Sequence, residues 1–122
     1  MEKPTPAALA AFDAGLPDDA RVERRSMFGM PAAFVNGNMF YGVFHDGVVM
    51  RLPVERVEAL CAEPGIGRFE PMAGRPWKDY IHADAPRWGG TPALAGWAQE
   101  ALAHTASALP PKAPKPRKAK GG

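Results

Sequence analysis

His82 and Asp84 stand two residues apart in "YIHAD", so on a strand they share one face and could touch the same metal ion. A zinc site needs three or four protein ligands, and no third ligand falls at a matching spacing. His82 therefore reads as a hydrogen-bonded surface histidine, and no metal is assigned. His45 and His104 are the other two histidines. Cys61, the single cysteine, would need a histidine beside it to act as a nucleophile. It falls on the apolar side of a predicted helix, where a thiol is inert. "GIGRFE" (65–70) lacks the third glycine of a dinucleotide fingerprint and follows no βα unit. Glu70, Asp79 and Asp84 show no spacing that marks a paired-carboxylate site. The expectation is a protein with no catalytic residue and no cofactor.

Two further groups invite a binding reading. Arg24 and Arg25 project to opposite faces of a strand, and either could offer a guanidinium fork to an anion. Pairing with local acids is the simpler expectation. Met27, Met30, Met39 and Met50 could form an adaptable contact surface, but as strand residues they read as core.

The elements that would position these residues begin with a helix over 5–15. Thr5 is placed to cap it, Pro6 suits its first position and Gly15 stops it. Leu9, Phe12 and Leu16 form its apolar stripe. Strands follow near 21–28, 31–36, 38–45 and 47–52. Asn36-Gly37 and Asp46-Gly47 mark two-residue hairpin turns, where both central residues need positive φ. A short helix starts at Pro53 ("PVERVEALCA"), with Val54, Val57 and Leu60 or Cys61 on one side. Residues 68–83 read as two strands joined at Ala73-Gly74, the second running from Trp77 to His82. Thr91-Pro92 opens a last helix to about Leu109, with Leu94, Trp97, Ala98, Ala101, Leu102 and Thr105 facing inward.

Strict alternation along 38–44 puts Phe40 and Phe44 on one face and Met39, Tyr41 and Val43 on the other. The next strand sets Val48, Met50 and Leu52 opposite Val49 and Arg51. Both faces are apolar, and three helices can hardly cover both. A second copy packed on the open face is the expected solution, so the folded part should form a homodimer.

With 122 residues the chain has room for one domain, placed at 1–109. No apolar run approaches the ~20 residues of a membrane span, and the single cysteine fits a reducing compartment, so a cytoplasmic location is expected. The net charge of +2 conceals a division. Residues 110–122, "PPKAPKPRKAKGG", hold five of the fifteen basic residues and no acidic one. That leaves ten basic against thirteen acidic residues in 1–109, a net −3. The tail's composition predicts disorder. Lys112, Lys115, Arg117, Lys118 and Lys120 are its candidate contacts to nucleic acid, weak and salt-sensitive because no aromatic residue stands among them to stack on bases.

The "MFG" corner (Met27, Phe28, Gly29), the hairpin Asn36-Gly37-Asn38-Met39-Phe40 and the strand ending in Arg51-Leu52 resemble the N-terminal domain of the TfoX/Sxy family of competence-regulator-like proteins. "FEPMAGR", "DYI" and the Trp97 helix are similar too, so the likeness covers about residues 7–104. Met30 stands where the family often has a second glycine, and Trp77 where it usually has a methionine. The resemblance implies an α+β fold of the secretion-chaperone-like type, ordered α-β-meander-α-β-β-α, that often dimerises. It also implies a cytoplasmic regulatory or binding role with no established catalytic residues.

Overall fold

A computed structural model describes residues 4–27, 30–70, 74 and 76–108. Phe28, Gly29, Ala73, Leu109 and the tail 110–122, with its five candidate nucleic-acid contacts, lie outside the described residues. The elements run α1 (Pro6–Gly15), β1 (Glu23–Met27), β2 (Met30–Val35), β3 (Asn38–Phe44), β4 (Gly47–Arg51), α2 (Val54–Leu60), β5 (Ile66–Arg68), β6 (Tyr80–Asp84), α3 (Ala85–Trp88) and α4 (Pro92–Ala108). The strands form one antiparallel six-stranded sheet ordered β1-β2-β3-β4-β6-β5. The result is the expected α+β fold, a helix-flanked antiparallel sheet, with α3 as an unforeseen extra turn.

Both long helices start where their caps predict. The Ala8 N–H donates to Thr5 Oγ1 at 3.1 Å, and the Leu94 N–H to Thr91 Oγ1 at 3.2 Å. All six residues of the α4 stripe are buried. The α1 stripe differs from expectation. Ala8, Ala11, Phe12 and Gly15 face the core, while Leu9 is 37% exposed. Small residues let α1 lie close to the sheet, and the rotation that buries them turns Leu9 outward. In α2, Val57 and Leu60 are buried but Val54 is exposed, because Pro53 caps the helix and Val54 becomes its first residue.

Asn36 and Gly37 have φ of 56° and 80°, the double positive φ expected of this turn. The next turn is one residue earlier than predicted. Phe44 pairs with Gly47, so His45 and Asp46 form the loop, and His45 carries the positive φ. Gly47 has a different role: a Cβ there would stand 2.2 Å from the Ala83 carbonyl oxygen. Glycine lets β4 and β6 close.

The alternation expected along β3 is broken. Ala33 pairs with Tyr41 and Phe34 with Met39, so Phe40 is an extra residue, a β-bulge. Phe40 joins Tyr41 and Val43 on the helix-bearing side instead of pairing with Phe44 on the other. Tyr41 stacks on Phe12 at 4.8 Å, and its hydroxyl lies 3.1 Å and 2.9 Å from the Ala11 and Phe12 carbonyls, to which it donates. It thereby ties the end of α1 to the middle of the sheet.

Candidate interaction surface

The helices cover one face of the sheet. On the other, Val49 sits at the centre of β4 and is 2% exposed although none of the described helices lies over it. Its cover is made by neighbouring side chains. Tyr80 on β6 lies across β4, and its hydroxyl donates to the Met39 carbonyl on β3 at 2.9 Å. Burial of that phenol pushes its pKa up, and the nearby Arg51 charge opposes the rise. The Phe69 N–H donates to the Tyr80 carbonyl and the Trp77 N–H to the Phe69 carbonyl, at 3.0 and 2.8 Å. The β5–β6 hairpin thus extends beyond its strands and lays Trp77 against Phe69.

The rings pack in a chain of edge contacts. Phe44 lies 4.9 Å from Phe69, Phe69 lies 5.0 Å from Trp77, and Trp77 lies 5.0 Å from Tyr80. Trp77 packs between Phe69 and Tyr80 and is the most exposed of the four rings, at 42%. Its indole N–H makes no hydrogen bond among the described residues, whereas that of Trp88 donates to the Pro64 carbonyl at 2.9 Å. Beside the rings is an open depression of about 270 Å³ lined by Phe44, His45, Asp46, Gly67, Arg68, Phe69, Glu70 and His82.

Charged groups frame this face. Arg51 pairs with Asp79 at 2.7 Å and holds its guanidinium 5.7 Å from the Tyr80 ring centre. Its Nε is buried with no hydrogen-bond partner among the described residues. Arg25 pairs with Glu23 and covers the Phe34 ring at 5.1 Å, while Arg24 pairs with Asp13 over Phe12 on the opposite side. The two arginines do face opposite ways, and both are neutralised by local acids.

The residues weighed for chemistry do not converge. His82 Nε2 lies 3.1 Å from the Phe44 carbonyl oxygen and 3.6 Å from Asp46 Oδ1, so its acidic neighbour is Asp46 and not Asp84. Cys61 is half-buried at the end of α2. Among the described residues no three His, Cys, Asp or Glu side chains are placed to hold a metal ion.

The residues that carried the family likeness are dispersed. Asn36 and Gly37 form the turn, and Asn38, buried beside it, donates to the Asn36 carbonyl at 3.3 Å. Phe40 is core. Met27 pairs with Met30 at the edge of the sheet. Among the described motif side chains, Met39 and Arg51 reach the aromatic face. Sequence reasoning missed Phe44, Phe69, Trp77 and Tyr80 as a group. The available signal was three aromatics at 69, 77 and 80 around the Gly74 turn, which brings them together only once the hairpin pairs.

No helix of the described residues is long and apolar enough to cross a membrane. No curated protein and no solved structure matches the chain. The family model of the TfoX N-terminal domain matches residues 16–105, which takes in all six strands, α2, α3 and most of α4. The chain belongs to the TfoX N-terminal domain family.

Proposed function

We propose that the chain is a non-enzymatic regulatory module of the cytoplasm, acting through protein contacts and working as a homodimer. The observation that carries this reading is the aromatic face of the sheet, opposite the helices and including the exposed Trp77. An aromatic group standing proud of an apolar patch, rimmed by charges, is how protein contact sites are commonly built. Family membership supports a regulatory role over a metabolic one. Sedimentation velocity over a micromolar concentration series tests the assembly. A dimer is expected, and a monomer throughout would overturn the homodimer.

A further inference from the structure

The aromatic face has an identifiable occupant in this chain's own sequence. Residues 110–116, "PPKAPKP", hold four prolines in seven residues, with a Pro-x-x-Pro unit at Pro111–Pro114 and basic residues on both sides of Pro114. Such a segment prefers the polyproline II helix, whose free carbonyls and proline rings are read by aromatic grooves with an indole N–H donor. The described face supplies these parts. Trp77 is exposed with its indole N–H unpaired among the described residues, and Phe69 and Phe44 form the wall of the adjoining 270 Å³ depression. Gly67 leaves open space within it, since a Cβ there would meet nothing.

The charges also match. Arg68 is held by Glu58 at 3.7 Å, while Glu70 has no ion-pair partner among the described residues. Among the described residues the Asp46 carboxylate has His82 as its one ion-pair neighbour, at 3.6 Å. With Asp46 and Glu70 against Arg68 the lining is net acidic, residues 1–109 carry net −3, and the tail carries five positive charges.

The homodimer reading decides which copy supplies the segment: in a two-fold pair the same patch is used on both copies, so each tail can lie on its partner's aromatic face.

We infer that this face binds the Pro-rich basic segment 110–117 of a second copy, each chain lending its tail to its partner. This rests on the homodimer reading above and names what covers the open face. It places in the contact a segment that composition alone assigns to the solvent.

The test uses the full chain. A nitroxide attached through Ala119→Cys in a Cys61→Ser background is mixed, on unlabelled protein, with isotope-labelled Cys61→Ser chains. The expected result is strong broadening of the Trp77 indole signal in the labelled chains, with those of Trp88 and Trp97 little changed. Equal broadening of all three, or none, overturns the inference. So does broadening seen only when label and isotope share one chain. As a second arm, replacing Pro110, Pro111, Pro114 and Pro116 together by Ala keeps every charge and leaves the folded residues untouched. Self-association is expected to weaken about tenfold, or ~1.4 kcal/mol. Unchanged dimerisation would sink the tail inference and leave the homodimer standing, whereas a monomeric parent would sink both.

Discussion

The two faces of the sheet are both apolar and are closed in different ways. On the helix side, aliphatic residues of β3, β4 and β6 meet α1 and α4, and the bulge at Phe40 adds a second ring beside Tyr41. The layer is finished by Tyr41 reaching two carbonyls of α1. On the other side none of the described helices arrives. Tyr80 lies across β4, Phe69 packs against it and Phe44 against Phe69, and Trp77 remains half in water. One face is a completed interior, whereas the other tiles itself with rings and leaves its most exposed ring for a partner. A side chain's burial thus describes packing, while the way a cluster ends shows whether something more can be added.

Several substitutions would break or sharpen this contrast. Phe40→Ala, on the completed face, should cost ~3–5 kcal/mol in urea unfolding, as buried aromatic deletions do. Trp77→Ala, measured in dilute protein, should cost no more than about 1 kcal/mol. Equal costs would show that the two faces contribute alike to the fold.

Gly47→Ala should destabilise by about 3 kcal/mol, because its Cβ meets the Ala83 backbone and neither strand can give way. Gly67→Ala, at the open depression, meets nothing and should be close to neutral. Thermal melts of the pair measure the difference directly.

Alkaline unfolding probes the Tyr41 tie. Burial, with Asp13 adding a little, raises the Tyr41 pKa far above the ordinary ~10 of the unfolded chain. A raised phenol pKa means that the stability is fully present below pH ~10 and is lost as pH climbs beyond it. Tyr41→Phe removes this term, so its stability should fall less steeply than the parent's above pH ~10. Parallel curves would refute the assignment.

The smallest effect is a gain. Thr105 is fully buried in α4 with its hydroxyl unpaired among the described residues, so Thr105→Val should stabilise by about 1 kcal/mol. A loss of stability would mean that the hydroxyl has a partner in solution.

Much of the helix side was legible because its signals are local. Thr5 and Thr91 announce their helices by cap chemistry, the α4 stripe follows the helical period, and Asn36-Gly37 meets the φ demands of its turn. What escaped was set by contacts distant in sequence. The bulge that turns Phe40 to the side of Tyr41 depends on β2 and β3 pairing out of step, which period-two reading cannot register. Gly47 looked like a turn residue because Asp-Gly favours turns, yet its glycine answers to Ala83, thirty-six residues later. Leu9 looked inward because it is large, while Ala8 and Ala11 won the interface by being small. The aromatic face was invisible for a related reason: Phe44, Phe69 and Trp77 become neighbours only when the β5–β6 hairpin folds beside β4. The Met-Phe-Gly and Asn-Gly motifs identified the family while saying little about its surface, since their described residues serve mainly turns and core.

The most direct measurement is sedimentation equilibrium on the parent and on Trp77→Glu, with thermal melts of the same dilute samples. The account predicts that the charge at Trp77 weakens self-association by tenfold or more, about 1.4 kcal/mol or above, while the melting of the dilute protein stays near the parent's. An association constant unchanged by Trp77→Glu would contradict it, and would take the partner's contact off the aromatic face.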